Sequence, residues 1–396
     1  MSMDNIKKKV AVLGSTGSVG CQALDAAASM GAEIAFIAAN TSVSKLAEQV
    51  RAYRPKACVI VDESRAAELK AAIADTDTKV YSGRDALVRL TEEGDYDTVI
   101  HSIAGSAGIE AAFAAARSGK RIGMANKEAI ISAGDLIYAE MKRHGTELIP
   151  VDSEHSAIFQ CLAASGAART TEPSDGSRVN RILLTASGGP FFGRTRDQLA
   201  GVTAEDALAH PTWKMGKKIT IDCATLMNKG FEIIEASRLF GVGSDKIEVV
   251  VHRQSIIHSM VEYADMTVIA QLATPDMRHP IRYAITYPDR LPVNTPGLDF
   301  ASLASLTFHK PDTEAFPLLD AARRALTDGD SAPASLIAAD EAAVEAFIGG
   351  RLSFTGISDA VLETMARVEK IRIDCIEAVF EADRAAREIA AEIIGK

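Results

Sequence analysis

The sequence predicts an α/β protein with three parts: an N-terminal Rossmann-like, doubly wound parallel sheet, an α+β middle region and a C-terminal helical bundle. Short β-branched apolar runs alternate with helical patterns over residues 1–151, which is typical of a parallel sheet covered on both faces. A glycine-rich turn follows the first of these runs, where doubly wound sheets bind nucleotides. From residue 313 onward, apolar residues recur at helical spacing instead.

The N-terminal region begins with an apolar run at residues 9–14, which predicts a strand that ends in glycine. Residues 23–30 are rich in alanine and predict the first helix, and residues 43–52 predict the second. Further strands are predicted at residues 34–38, 57–61 and 98–100. We place the end of this domain at residue 151.

The middle region, residues 152–286, follows an apolar run at 148–151 and contains a strand pattern at 181–185. Residues 287–312 are dotted with proline and lack a periodic pattern, which predicts a linker. Residues 313–396 predict a small helical bundle that supports the rest or forms a dimer contact.

Composition excludes several classes of function. The 396 residues include 53 acidic and 43 basic side chains, a net charge of -10, so we expect no nucleic-acid partner. No uninterrupted apolar segment is long enough to span a bilayer, and we expect no membrane partner. The five cysteines are scattered and form no CxxC pair. This favours reduced thiols and a cytoplasmic location.

The turn after the first strand carries Gly14, Gly17 and Gly20. A tight bend and close approach of a diphosphate both exclude a Cβ atom, and the N–H groups at the helix start would face the phosphates. The spacing is GxxGxxG and not the usual GxGxxG, so a glycine turn without a ligand is the alternative.

The second predicted strand ends near Asn40 and Thr41, where an NAD-specific domain would place an acidic residue for the ribose hydroxyls. Without that carboxylate, a 2′-phosphate meets no repulsion, and amide, hydroxyl and Lys45 groups are available to contact it. The sequence therefore favours NADPH over NADH. A turn in which Ser42 caps the next helix is compatible with this interpretation.

A possible metal site follows the strand predicted at 148–151. If the extended geometry continues, Asp152 and Glu154 point to the same face, because strand side chains alternate. Glu232, in a helical stretch, is a candidate third ligand. Three carboxylates favour Mg²⁺ or Mn²⁺ over zinc. The alternative is a solvated strand end without a metal.

Seven blocks of this sequence resemble the 1-deoxy-D-xylulose 5-phosphate reductoisomerase family, in the order and at the spacing of that family. They are GSTGSVG (14–20), ANKE (125–128), PVDSEH (150–155), LTASGGPF (184–191), HPTWKMG (210–216), MNKGFE (227–232) and QSIIHSM (254–260). The resemblance covers nearly the whole chain. It implies an NADPH-binding domain, a catalytic domain that binds metal and substrate, a C-terminal helical domain and a homodimer.

The resemblance also implies roles for individual residues. Asp152, Glu154 and Glu232 would hold Mn²⁺, Mg²⁺ or Co²⁺, and they would be catalytic together with Lys127 and His210. The predicted substrate contacts are Ser153, Glu154, Ser187, His210, Trp213, Cys223, Asn228, Lys229 and Glu232. The predicted cofactor contacts are Thr16, Gly17, Ser18, Val19, Asn40, Thr41, Asn126, Glu128 and Gly216.

The implied activity is the NADPH-dependent conversion of 1-deoxy-D-xylulose 5-phosphate to 2-C-methyl-D-erythritol 4-phosphate, a step of isoprenoid precursor synthesis by the non-mevalonate pathway. It would combine a metal-assisted skeletal rearrangement with hydride transfer. His210 would lie on a mobile lid spanning residues 207–218. For single residues the simpler alternatives are solvated lysines at 127 and 229, a loop histidine at 210 and a structural histidine at 258.

Two positions depart from the family pattern. Ala39, Asn40 and Thr41 stand where a Gly-Lys-Asn-like segment is usual, and Cys223 stands where a phosphate-binding serine is usual. One rival hypothesis is an NADP-dependent enzyme of the semialdehyde-dehydrogenase type, which needs an activated cysteine. Another is a redox-sensing protein that binds NADPH without chemistry.

Overall fold

A computed structural model describes residues 8–209, 211–213, 215–292 and 295–395. In its N-terminal region, strands and helices alternate as predicted. The strands are β1 (Lys9–Leu13), β2 (Glu33–Ala39), β3 (Ala57–Ile60), β4 (Lys79–Ser82), β5 (Thr98–His101), β6 (Arg121–Met124) and β7 (Glu147–Pro150). The helices are α1 (Ser18–Ser29), α2 (Val43–Tyr53), α3 (Ala66–Ala72), α4 (Arg84–Glu93), α5 (Ile109–Arg117) and α6 (Lys127–His144).

These seven strands form one parallel sheet in the order β4-β3-β2-β1-β5-β6-β7. Val10 to Leu13 of the central strand β1 are fully buried, because helices cover both faces of the sheet. The chain order reverses between β1 and β5, which opens a crevice at the carboxyl ends of these strands. The predicted doubly wound sheet is confirmed.

The middle region contains a second, mixed sheet, which confirms the predicted α+β class. Its strands are β8 (Val179–Ala186), β9 (Ile247–Val251), β10 (Ile257–Tyr263) and β11 (Val268–Leu272), in the order β11-β10-β8-β9. Its helices are α7 (Ser153–Ala164), α8 (Arg196–Leu199), α9 (Ala204–Leu208), α10 (Lys217–Ala224), α11 (Met227–Phe240) and α12 (Arg278–Thr286). Strand β8 pairs in parallel with β9 and antiparallel with β10.

The C-terminal region is helical, as predicted. It contains α13 (Phe300–Leu303), α14 (Leu318–Asp328), α15 (Ala332–Ile348), α16 (Phe354–Arg367) and α17 (Ile376–Ile394). Only α13 and a single β-bridge between Val251 and His309 lie in the stretch predicted as a linker, among its described residues. The exact domain boundaries stay a prediction.

Helix α14 packs closely against α11. At Gly230 of α11, an added Cβ atom would lie 2.7 Å from the Cβ atom of Ala322 in α14, so only glycine permits this separation. Met227, Phe231 and Ile234 of α11 are buried in one apolar cluster with residues of α14, α15 and α16. The C-terminal helices therefore complete the core around α11. None of the helices in the described ranges is long and apolar enough to cross a membrane.

Candidate active site

A cavity of about 170 Å³ lies between the N-terminal sheet and the middle region. It joins the predicted cofactor and metal positions, because both Ser18 of α1 and Glu232 of α11 line it. The predicted site residues in its wall are Ser18, Val19, Lys127, Asp152, Ser153, Glu154, Ser187, Trp213, Gly216, Cys223, Asn228, Lys229 and Glu232. His210, predicted to cover the substrate, lies outside the described residues.

Three carboxylates converge in this cavity. One oxygen from each of Asp152, Glu154 and Glu232 lies within 4.8 Å of the others. The extended geometry expected for residues 152–154 is wrong, because α7 begins at Ser153 and Asp152 is its N-cap, accepting a hydrogen bond from the Glu154 amide at 3.3 Å. The two side chains therefore meet at the first turn of a helix, and α11 brings the third.

Two lysines lie among these carboxylates. Lys127 Nζ is 2.8 Å from Asp152 Oδ2 and 3.5 Å from Glu232 Oε1. Lys229 Nζ is 2.7 Å from Glu154 Oε1 and also pairs with Glu232. Burial alone would lower the pKa of Lys127, but Asp152 and Glu232 outweigh it and raise that pKa. Both lysines are buried, so the alternative of solvated lysines at 127 and 229 is wrong.

The carboxylate cluster suits a divalent cation. Burial first, and then the charge of Glu154, raise the pKa of Glu232 to about 7. A positive ion bound by the three carboxylates would remove this repulsion, and carboxylate oxygens are the ligands that Mg²⁺ and Mn²⁺ prefer. These residues therefore fit such an ion, even with two ammonium groups beside them.

A second group shares Asp152 and was not predicted from the sequence. His155 Nδ1 is 3.5 Å from Asp152 Oδ1 and 3.2 Å from Glu235 Oε2, and His155 Nε2 is 3.0 Å from the carbonyl oxygen of Glu232. Burial would lower the pKa of His155, but Glu235 and Asp152 raise it to about 9. The His155 ring therefore lies between Asp152 and Glu235 and can orient Asp152.

Sequence reasoning could have found this group. His155 is the last residue of the PVDSEH block, and Glu235 lies three residues beyond Glu232 on the same helix. Both side chains are buried, and a buried charged group needs a partner of opposite charge. Without coordinates, however, no sequence pattern pairs His155 with Glu235.

The glycine turn has the geometry that the sequence predicts. Gly14 has a φ of +75°. At Gly20, an added Cβ atom would lie only 2.2 Å from the Gly14 carbonyl oxygen. Gly17 is the N-cap of α1, and the first N–H groups of the helix follow it. Lys45 Nζ donates to the Thr16 carbonyl oxygen at 2.8 Å, which fixes the turn against α2.

The other predicted cofactor residues lie at the same carboxyl edge of the sheet but do not line the cavity. Asn40 and Thr41 are exposed just beyond the end of β2. Asn126 caps α6 after β6, and its amide donates to Glu128 Oε2 at 2.8 Å. A cofactor that extends from the cavity along this edge would pass these positions.

The loop after β8 is built to present Ser187. Gly188 and Gly189 have positive φ angles of 76° and 65°. Arg253 Nη1 donates to the carbonyl oxygens of Ser187 and Gly189 at 2.7 and 2.6 Å. Arg253 thus holds the backbone of the loop through its carbonyl groups. Ser187 lies in the cavity wall. Such a loop suits a phosphate group.

The remaining predicted substrate residues have varied partners. Asn228 accepts from Lys127 Nζ at 2.7 Å and donates to Glu232 at 2.5 Å. The Trp213 ring lies 6.1 Å from the His258 ring, centroid to centroid. His258 lines the cavity, and burial lowers its pKa. Sequence reasoning gave His258 a structural role and did not single out the neighbouring cavity residues Met215, Ile219, Ser255, Ile257 and Met277.

Cys223 is half-buried in the cavity wall. Burial, followed by the charge of Glu232, raises the pKa of its thiol far above the usual value. Because the thiolate is the nucleophile, this environment disfavours the activated cysteine that a semialdehyde-type dehydrogenase needs.

Sequence comparison identifies relatives over nearly the whole chain. The family model for 1-deoxy-D-xylulose 5-phosphate reductoisomerase matches residues 10–134, and the models for two C-terminal domains of that family match residues 148–240 and 272–389. A reductoisomerase of this name from Symbiobacterium thermophilum is 46% identical over 393 residues, which cover 98% of this chain and 99% of the relative. One from Phocaeicola vulgatus is 45% identical over 391 residues, 98% and 100% of the two chains.

The chain belongs to the 1-deoxy-D-xylulose 5-phosphate reductoisomerase family.

Solved structures of the reductoisomerase family share the fold. The Zymomonas mobilis enzyme in complex with NADPH has a TM-score of 0.89 and 40% identity, covering 98% of this chain and 99% of that one. A family structure in complex with NADPH, fosmidomycin and magnesium has a TM-score of 0.90 and 35% identity, covering 98% of each chain. The resemblance predicted from the seven sequence blocks is confirmed.

Proposed function

We propose that this chain converts 1-deoxy-D-xylulose 5-phosphate to 2-C-methyl-D-erythritol 4-phosphate, with NADPH as the reductant and a divalent metal held by Asp152, Glu154 and Glu232. One observation carries the assignment of the site. The three carboxylates lie in the same cavity that the first turn of α1 reaches through Ser18 and Val19. The hydride donor and the substrate can therefore meet in one cavity.

The metal is Mn²⁺, Mg²⁺ or Co²⁺, and when bound it polarises oxygens of the substrate. Lys127 stays protonated beside Asp152 and orients the substrate backbone together with Ser153. The phosphate is bound by Ser187, Asn228, Lys229 and Cys223, of which Asn228 and Lys229 also contact Glu232. We expect Trp213 and His210 to cover the substrate and exclude water.

NADPH would be held along the carboxyl edge of the parallel sheet, where the first N–H groups of α1 would bind its diphosphate. The residues that contact it are Thr16, Gly17, Ser18, Val19, Asn40, Thr41, Asn126, Glu128 and Gly216. We place the protein in the cytoplasm. We also expect a homodimer, and light scattering of the purified protein would test this oligomeric state. Its net charge of -10 gives no reason to expect a nucleic-acid partner.

The most direct test follows NADPH oxidation with 1-deoxy-D-xylulose 5-phosphate, with and without added Mn²⁺. We expect oxidation only when substrate and metal are both present. Turnover that survives exhaustive chelation and is lost in Cys223→Ala would favour the semialdehyde-type dehydrogenase. NADPH binding without turnover under any of these conditions would favour a redox-sensing binding protein.

Cys223 gives a second test, at the phosphate end. A hydrogen bond to a charged group contributes about 1.5–3 kcal/mol, and a thiol keeps only part of this. Cys223→Ser should therefore be active with a substrate KM several-fold lower, and Cys223→Ala should raise KM modestly without abolishing turnover. Alkylation, followed by mass spectrometry, should modify Cys223 in the free enzyme, and substrate should protect it. Reaction only after unfolding would show that Cys223 merely packs.

A further inference from the structure

Lys218 joins the cavity wall to the C-terminal helices. Its Nζ atom is 2.6 Å from Asp222 Oδ2, one turn along α10, and 2.7 Å from Asp340 Oδ2 in the middle of α15. The same ammonium lies 4.8 Å from the centroid of the Phe231 ring in α11. Helices α10, α11 and α15 thus meet at one cation, and none of the roles proposed above uses it.

Both aspartates are deeply buried, with side-chain exposures of 4% for Asp222 and 0% for Asp340. In the described part of the chain, the Oδ1 atoms of both lack a hydrogen-bond partner. Burial and then the charge of Asp340 raise the pKa of Asp222. Burying three ionisable groups without full hydrogen bonding is costly, which suggests a role beyond stability.

Helix α10 needs such a tether. It has only 8 residues, and no side chain caps its start at Gly216. Helices shorter than roughly 12 residues are not stable alone, so tertiary contacts must determine the position of α10. Lys218 and Asp222 lie one turn apart on the side of the helix that faces α15. Ile219 and Cys223, each one residue further, line the cavity.

Helix α15 is a firm support for this tether. Its residue Glu341, next to Asp340, accepts a hydrogen bond from the Ser106 amide at 3.3 Å, in the turn after β5, and pairs with Arg387 of α17. Consecutive side chains of α15 therefore reach the nucleotide-binding sheet and α10. Asp340 and Glu341 thus link α10 in the cavity wall to the turn after β5.

We propose that Lys218, Asp222 and Asp340 are positioning residues, which hold α10 so that Ile219 and Cys223 form the wall of the substrate cavity and Trp213 stays packed at its mouth. The C-terminal helical region thereby sets the geometry of a site to which it contributes no cavity residue among those described. The proposal rests on the proposed function only for the identity of the substrate.

The test combines kinetics with the fluorescence of Trp213, the only tryptophan of the chain. Lys218→Met keeps the aliphatic stem over Phe231 but removes the charge. We expect a substrate KM about tenfold higher, a loss of roughly 1.4 kcal/mol in binding, and greater quenching of Trp213 by acrylamide without ligands. In Lys218→Arg, the substrate KM and the acrylamide quenching should both be close to those of the parent protein.

The aspartates give an internal check. Asp222→Asn and Asp340→Asn should each have small effects, because one carboxylate still balances Lys218. The double variant leaves the ammonium unpaired and should match Lys218→Met, a non-additive result. Glu345→Gln, an exposed position on the same helix, makes the same change of charge and should leave KM and quenching unchanged.

A merely structural role predicts a different pattern. Partial unfolding lowers kcat by reducing the amount of active enzyme, but it leaves the KM of the folded fraction unchanged. A double variant or Lys218→Met with unaltered KM and quenching in its folded fraction would overturn the proposal. If the parent protein does not turn over the deoxyxylulose phosphate at all, the proposed function fails, and the quenching comparison still tests the positioning role.

Discussion

Replacing Glu232 with Gln should lower the affinity for Mn²⁺ by at least about 100-fold, because changes to residues that only support metal ligands already cost roughly 10–100-fold. The substitution removes a full ligand charge from the group of Asp152, Glu154 and Glu232, whose oxygens lie within 4.8 Å of one another. NADPH affinity should be unchanged, since Glu232 belongs to α11 and not to the glycine turn. Calorimetry with Mn²⁺ and with NADPH measures both.

Glu235→Gln is the matched control. Glu235 lies one turn along the same helix and is equally buried, but it pairs with His155 in the other acidic group that shares Asp152. We expect a smaller loss of Mn²⁺ affinity there, because Glu235 acts through the orientation of Asp152. A larger loss in Glu235→Gln than in Glu232→Gln would move the metal to the group of Asp152, His155 and Glu235.

Gly20→Ala should disrupt the cofactor turn. The added Cβ atom would lie 2.2 Å from the Gly14 carbonyl oxygen and 2.7 Å from the Ser15 Cα atom, and backbone atoms cannot move aside as a side chain can. Overpacking typically costs about 1–3 kcal/mol, and the shifted turn no longer presents the N–H groups of α1 to a diphosphate. We expect a lower Tm and a Kd for NADPH at least about tenfold higher, equivalent to 1.4 kcal/mol.

Gly17→Ala separates the two effects. Its Cβ atom would lie 3.2 Å from the Gly14 carbonyl oxygen, its nearest contact, and Gly17 has an ordinary φ of -74°. Stability should therefore change little, while the methyl group at the helix start still hinders the diphosphate. Thermal unfolding and fluorescence titration with NADPH distinguish the variants. Parental NADPH affinity in both would mean that the turn has no phosphate to bind.

Much of the fold could be predicted because local pattern and tertiary environment agree. Strand β1 is an unbroken apolar run buried on both faces, and a glycine-rich turn leads from it into α1. Strands β4 and β6 were not predicted, for physical reasons. Lys79 to Ser82 form a partly exposed edge strand with little apolar character, and Arg121 to Met124 contain only four residues with a glycine among them.

The site, too, could be predicted only in part. Asp152, Glu154 and Glu232 meet as predicted. The extended geometry predicted for Asp152 and Glu154 is wrong, because a helix begins directly after Asp152. The contact between Lys218 and Asp340, which lie more than 100 residues apart in the chain, could not be predicted. Their partners are determined by how helices pack, and helical periodicity indicates which face is buried but not which helix covers it.

The close contact at Gly230 determines how far the chain could be shortened. A truncated protein that ended before α14 would keep every residue proposed to bind metal, substrate or NADPH, yet it would leave Met227, Phe231 and Ile234 of α11 facing water. An apolar surface of this kind promotes aggregation, and α11 is the helix that carries Glu232 and Lys229. The smallest unit able to work as an enzyme therefore extends well beyond the residues that touch its ligands, and a minimal version of the protein has to retain the C-terminal helices.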